Sequence, residues 1–301
     1  MSSAFLALDW GTTNLRAWVV GDDGQARDHR QFDLGVSKLQ PGEAAKRFHD
    51  TVRPQMQAEG LPTYMCGMIG SNLGWELVRY LDCPADTAAV RAALHRVEAD
   101  GPPVWIVPGL RSQRPDGGPD VMRGEETHVL GWAAEDPARC KGEHLICHPG
   151  THAKWVRLVD GRLESFVTSM TGELFAILSK HSVLQVREAE DDEAAFEEGL
   201  AAAGDGGALA SRMFTARSRV VGGGMSPDKV KSYLSGVLIG AEAAGMPKLF
   251  GVGVDTPVAI IGDLKLAARY ERALKARGFK VSLHDGEEAV LTGLKALKGQ
   301  G

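Results

Sequence analysis

The chain has 301 residues, 44% of them hydrophobic and 24% charged, with a formal net charge of −5. That length suggests roughly two domains, and the weakly acidic balance excludes a nonspecific binder of nucleic acid or anionic membrane. No apolar run approaches the ~18 residues of a membrane span, and Cys66, Cys83, Cys140 and Cys147 lack any C-x-x-C spacing, so they read as reduced thiols of a cytoplasmic protein.

The N-terminus reaches Asp9 after a handful of apolar residues and has no basic leader, which makes it a strand and not a signal peptide. Ala4–Asp9, Leu15–Val20 and Gln25–Leu34 form a β-meander, with Asp22-Asp23-Gly24 as a hairpin turn. Ala44, Ala45, Phe48, Val52 and Met56 fall near helical spacing and predict a helix over Pro41–Glu59. Tyr64–Gly67 is a brief strand running into a glycine-spaced loop, Gly67–Trp75. Thr87–Ala99 reads as helix, Val104–Val107 as strand, Arg111–Pro119 as loop and Gly124–Ala134 as helix.

A composition break at Asp136-Pro137 precedes a return of the opening pattern. Strands His144–His148, Lys154–Val159 and Arg162–Thr168 enclose the tight loop Pro149-Gly150-Thr151-His152 and the turn Asp160-Gly161. Helices follow at Thr171–His181, Glu193–Ala203, Leu209–Thr215 and Lys229–Ala244, the acidic run Glu188–Glu198 being a solvated helix with its leading loop. Strand Pro257–Ile261, a helix through Arg277, strand Lys280–Leu283 and helix Glu287–Leu297 finish the chain. Gly11-Thr12 and Gly150-Thr151 occupy equivalent places in two copies of one meander, so an internal repeat predicts two domains, 1–136 and 137–301, facing each other across a cleft.

A strand-end Asp9-Trp10-Gly11-Thr12-Thr13 suits the phosphates of ATP. Glycine lets the backbone amides approach phosphate oxygens, threonine hydroxyls add donors, and an ionised aspartate can hold Mg²⁺ through water. A P-loop or dinucleotide-binding loop would feed a helix. Here the loop feeds a strand, which points to a β-hairpin phosphate clamp.

Phosphoryl transfer to an alcohol also needs a group to take the hydroxyl proton. Glu125 and Glu126 in Arg123-Gly124-Glu125-Glu126-Thr127 are candidates, although acids in a first helical turn also simply complement the macrodipole. Ser71, Asn72 and Trp75 of the glycine-spaced loop suit a small polar ligand, while a glycine-rich connector with a packed tryptophan fits the same residues. Arg123 and Lys154 could meet an anion, or be a solvated arginine and an outward strand lysine. Pro149 and Gly150 separate His148 from His152, so those histidines and Cys147 do not make a metal site.

Taken together, Ala7–Trp18, Cys66–Ser71, Gly74-Trp75, Tyr80–Pro84, Met122–Thr127, Pro149–Trp155, Ser235–Gly240 and Ile261–Asp263 resemble the 2-dehydro-3-deoxygalactonokinase (2-keto-3-deoxygalactonate kinase) family of the actin/hexokinase/Hsp70-like ATPase superfamily, over nearly the whole chain. The resemblance implies two ribonuclease-H-like (actin-like ATPase) α/β domains, ATP and Mg²⁺ as cofactors, and transfer to the C6 hydroxyl of a small-molecule sugar acid in galactonate catabolism. It implies Asp9 near Mg²⁺, and Gly11, Thr12, Thr13, Asn14, Gly150, Thr151, His152 and Lys154 around the phosphates. Gly262 falls at an adenosine loop, with Glu125 as base and Glu126 as its fallback. The sugar acid falls to Arg16, Gly70, Ser71, Asn72, Trp75 and Arg123, with Arg16, Arg123 and Lys154 as open choices for its carboxylate. His148 stands where the second loop of the superfamily often has Asp, which leaves Asp9 as the main metal acid. A kinase for another sugar acid or an amino sugar, and a non-catalytic ATP switch, remain as alternatives, and monomer and homodimer are both open.

Overall fold

The computed structural model describes residues 4–185 and 191–298, so Glu188 to Glu190 of the acidic run lie outside the described residues. The chain divides into two compact units. The division is not a single cut near residue 136: the first unit is Met1–Gly142 with Leu158–Ser165 and Gly286–Gly301, and the second is Glu143–Arg157 with Phe166–Asp285.

In the first unit, strands β1 (Phe5–Trp10), β2 (Leu15–Val20), β3 (Ala26–Phe32), β4 (Thr63–Cys66), β6 (His95–Val97) and β7 (Val104–Ile106) form a sheet of order β3-β2-β1-β4-β7-β6. β1 pairs antiparallel with β2 and parallel with β4, and every β1 residue is buried. A strand apolar at every position but Asp9 suits a sheet centre covered on both faces. Leu6, Leu8, Trp10, Leu15, Phe48, Met65 and Ile106 make its core. The predicted 41–59 helix is a chain of turns, α1 (Glu43–Arg47), a π-helical turn (Phe48–Val52) and α2 (Arg53–Gln55).

Two expectations change here. The stretch 87–99 is helical only as α3 (Thr87–Ala92), because His95, Arg96 and Val97 pair antiparallel with β7, and sheet pairing overrides local propensity. The expected loop at 111–119 is a hairpin of β8 (Leu110–Gln113) and β9 (Pro119–Met122), which with β5 (Leu81–Asp82) makes a small sheet. Its turn signals lie only within 114–118, closed by Arg114 N–H to Gly118 O at 3.0 Å. β9 delivers the chain to Arg123 and then to α4 (Glu125–Glu135).

A second sheet, most of it in the second unit, repeats the plan. Strands β10 (Glu143–His148), β11 (Ala153–Val159), β12 (Arg162–Ser169), β13 (Val258–Gly262) and β14 (Val281–Asp285) take the order β12-β11-β10-β13-β14, with β10, β13 and β14 parallel. Helices α5 (Thr171–His181), α6 (Glu193–Ala203), α7 (Leu209–Val221), α8 (Val230–Phe250) and α9 (Leu264–Lys275) complete the second unit. Helix α8 continues through Pro247 instead of stopping at Ala244. The second sheet's five strands match the first five of the six-stranded sheet in order, and two such sheets make this the ribonuclease-H-like, actin-like ATPase fold.

Helix α10 (Gly286–Lys298) returns to the first unit, against α4. The contact is backbone on backbone: a Cβ on Gly131 would lie 1.8 Å from Ala289 O, and one on Gly293 2.1 Å from Thr127 O. Gly131→Ala should therefore lower the unfolding free energy by about 1–3 kcal/mol or more, as overpacking does. Gly60→Ala, where a Cβ meets nothing within 4 Å, should change it by less than ~0.5 kcal/mol in the same urea titrations.

Candidate active site

The first loop hangs from the end of β1. Gly11 N–H bonds Asn14 O at 3.0 Å, and the carbonyls of Thr13, Gly11 and Thr12 accept from the amides of Gly35, Val36 and Ser37. Trp10 is wholly buried and its indole N–H is held by Leu34 O. The loop is thus braced from behind while Thr12, Thr13 and Asn14 stay exposed. Among the described residues, none of its backbone bonds is donated by those three. Exposed amides and hydroxyls of this kind are the chemistry of an oxyanion cradle.

Asp9, 8% exposed, accepts from Arg16 Nε at 3.1 Å, and its other oxygen lies 3.9 Å from Cys66 Sγ. Arg16 also reaches Glu287 of α10 at 3.3 Å. Burial opposes the Arg16 charge, but Asp9 and Glu287 outweigh it and raise its pKa. The structure therefore engages Arg16 with two carboxylates. Among the described residues no three His, Cys, Asp or Glu side chains gather as a metal cage. The donor set fits instead an ion that rides on phosphates and takes one protein carboxylate, Asp9, through water.

Helix α4 begins beside this loop for a steric reason. Gly67 has φ +93°, and a Cβ there would lie 2.7 Å from Trp10 O. Gly124 has φ +113°, and its Cβ would lie 3.1 Å from Gly67 Cα. Only glycine adopts those dihedrals cheaply and tolerates that approach. The two acids of the first turn then separate. Glu126 is wholly buried, taking Gly124 N–H at 2.7 Å and Thr127 Oγ at 3.0 Å, so it caps its own helix. Glu125 is half-buried and accepts Arg123 N–H at 3.1 Å, and of the pair it alone keeps exposed surface.

Arg123 is 7% exposed. Its Nη2 donates to Val78 O at 2.7 Å and its guanidinium lies 4.4 Å over the Tyr80 ring, while Nε and Nη1 are buried without a hydrogen-bond partner. Nη1 lies 2.8 Å from where a Cβ on Gly70 would stand, so the missing side chain at Gly70 leaves that space to the guanidinium. The rest of the glycine-spaced loop is largely self-satisfied. Ser71 Oγ donates to Met68 O at 2.7 Å and accepts from Leu73 N–H, and Trp75 packs on Phe48 and His49. Asn72 is exposed.

In the second unit Thr151 and His152 are exposed, Gly150 is half-buried, and Lys154 is buried on β11. The start of α5 fixes this loop: Glu173 N–H donates to Thr151 O at 3.0 Å, and the Glu173 carboxylate meets His152 Nε2 at 2.6 Å. A Cβ on Gly172 would lie 2.4 Å from Gly150 O. Gly262 faces the loop from β13, its Cβ position 3.6 Å from Pro149. Beside it lies an apolar-walled pocket lined by Gly150, Thr171, Phe175, Leu238, Leu266 and Tyr270, with Ser235 and Arg269 as polar members. Sequence reasoning missed this pocket, because its walls come from one loop and three helices with no shared motif. It also missed Glu242, a single acid in the apolar run Leu238–Ala244, which was signal enough to suspect a buried role.

The buried Glu126 gives a pH test. Burial first, then the nearby Glu125, push its carboxyl up to about 8, against the lowering effect of its hydrogen bonds. A folded pKa above the unfolded value gives stability that is full below ~4.3 and lost as pH rises through the folded value. Glu126→Gln stays neutral, so its unfolding free energy relative to wild type should rise by on the order of a few kcal/mol between pH 5 and pH 9. Urea midpoints at both pH values measure this; a pH-independent difference would contradict it.

The chain matches known proteins over nearly its whole length. The 2-keto-3-deoxy-galactonokinase family model matches residues 9–297. A Rhizobium meliloti (strain 1021) protein named probable 2-dehydro-3-deoxygalactonokinase is 38% identical, covering 97% of this chain and 95% of its own. The 2-dehydro-3-deoxygalactonokinase of Escherichia coli (strain K12) is 34% identical, covering 99% and 98%. A crystal structure of a candidate 2-dehydro-3-deoxygalactonokinase from Sinorhizobium meliloti superposes with TM-score 0.86 at 36% identity, covering 97% of both chains. The chain belongs to the 2-keto-3-deoxy-galactonokinase family.

Proposed function

We propose that this kinase transfers the γ-phosphoryl group of ATP to the C6 hydroxyl of 2-dehydro-3-deoxy-D-galactonate in galactonate catabolism, a reaction of the cytoplasm. The single observation that carries the substrate reading is Arg123, a buried guanidinium with two unspent nitrogens two residues from Glu125. A sugar acid brings a carboxylate, which a guanidinium binds through charge-assisted hydrogen bonds. Of the three cations open in the sequence, Arg16 is engaged by Asp9 and Glu287 and Lys154 has a partner of its own, whereas two nitrogens of Arg123 have no hydrogen-bond partner. Arg123 therefore takes the carboxylate, with Asn72 at the rim and Gly70 leaving the space.

Glu125 is the group that accepts the C6 proton as the oxygen attacks phosphorus, and Glu126 keeps its helix start in place. Gly11, Thr12, Thr13 and Asn14 meet one set of phosphate oxygens, and Gly150, Thr151 and His152 another. The apolar pocket beside Gly262 seats the adenosine. Mg²⁺, held by Asp9 through water, neutralises phosphate charge when bound.

The test is a panel of 2-keto-3-deoxy sugar acids, aldoses and amino sugars with Mg-ATP, following ADP release. Acceleration by 2-dehydro-3-deoxy-D-galactonate above all others supports the reading, and acceleration by no sugar acid overturns it. Glu125→Gln should lower kcat by about 10²–10⁴-fold with the KM for ATP unchanged, the range for a lost general base; normal turnover would remove Glu125 from that role. Arg123→Lys should raise the KM for the sugar acid at least tenfold, because an ammonium cannot reproduce the fixed, planar donors of a guanidinium, and an unchanged KM would place the carboxylate elsewhere.

A further inference from the structure

Glu242 lies on α8, 6% exposed, in a stretch that is otherwise apolar. Its carboxylate accepts from the Trp155 indole N–H of β11 and from Tyr270 OH of α9 at 3.0 Å, and it bonds the hydroxyls of Thr171 and Ser169. Ser169 and Thr171 bond one another at 2.8 Å. One side chain therefore ties together β11, the end of β12 and the starts of α5 and α9's buried face. A buried acid is expensive unless its oxygens are filled, and these are filled.

What the hub holds is specific. Thr171 opens α5, and the next residue, Gly172, presses on Gly150 O, while Glu173 N–H grips Thr151 O. Thr171 and Tyr270 also line the apolar pocket, which Glu242 itself does not. We propose that Glu242 is a positioning residue of the nucleotide site, setting the Gly150-Thr151 loop and the Thr171 and Tyr270 walls while touching no ligand. This rests on the pocket being the nucleotide seat.

The experiment is a graded series on the whole enzyme: wild type, Glu242→Gln, Glu242→Leu, and Ser235→Phe, which fills the pocket. ADP affinity by calorimetry, separate KM values for ATP and the sugar acid, and urea midpoints are read for each. Gln keeps one acceptor and Leu none, so ADP affinity should fall about threefold to tenfold in Glu242→Gln and further in Glu242→Leu, while the sugar-acid KM stays within twofold. A merely structural role would weaken both substrates together and track the urea midpoint. Removing the acceptor leaves the buried Trp155 and Tyr270 donors unsatisfied, so the urea midpoint should fall as well, and the split between ADP affinity and the sugar-acid KM is what distinguishes the positioning role. If Glu242→Leu does not fold, Glu242→Gln decides alone. Unchanged ADP affinity, or equal weakening of both substrates, overturns the proposal. ADP affinity surviving Ser235→Phe would instead overturn the pocket reading on which it stands, which separates the two failures.

Discussion

The candidate sugar-acid site depends on one steric constraint, the backbone contact of Gly67 with the Trp10 carbonyl and of Gly124 with Gly67. A Cβ at either position would push α4 away from the end of β1. With the glycines in place, the start of α4 lies against the strand that carries Asp9 and the first loop. Helix α10 reinforces the arrangement, crossing α4 through Gly131 and Gly293 and lending Glu287 to the Arg16–Asp9 pair. Chemistry in this unit follows from packing that excludes side chains.

The two loops of the repeat are built on one strand order but supported differently. In the first unit an ion pair, Asp9 with Arg16, sits behind the loop, and its charge is balanced within the unit. In the second the corresponding residue is His148, and the support is a buried hydrogen-bonded hub on Glu242. One loop keeps an acid suited to a metal on phosphates. The other is held by the first turn of α5. The repeat thus preserved geometry and divided the chemistry.

Much of this could be read from the residues. The meander, the repeat, most helices and the grouping of Arg123 with Glu125 follow from periodicity, turn residues and motif. What could not be read depends on long-range contact. His95–Val97 became a strand because β7 offered it an edge, and the 111–119 segment became a hairpin whose flanking residues carry weak strand signals. Glu125 and Glu126 are identical in type and adjacent, and only burial tells the capping acid from the accessible one. Arg16, Arg123 and Lys154 were equal as cations until their partners were known. The apolar pocket of the second unit has no motif, since α5, α8 and α9 each supply part of its wall.

The most direct measurement is a crystal structure of the enzyme with 2-dehydro-3-deoxy-D-galactonate and a non-hydrolysable ATP analogue. The account requires the sugar carboxylate on the Arg123 guanidinium, the C6 hydroxyl within hydrogen-bond reach of Glu125, and Glu126 still buried on Gly124 N–H. A carboxylate bound to Lys154 or Arg16, with the Arg123 nitrogens still unpartnered, would contradict it.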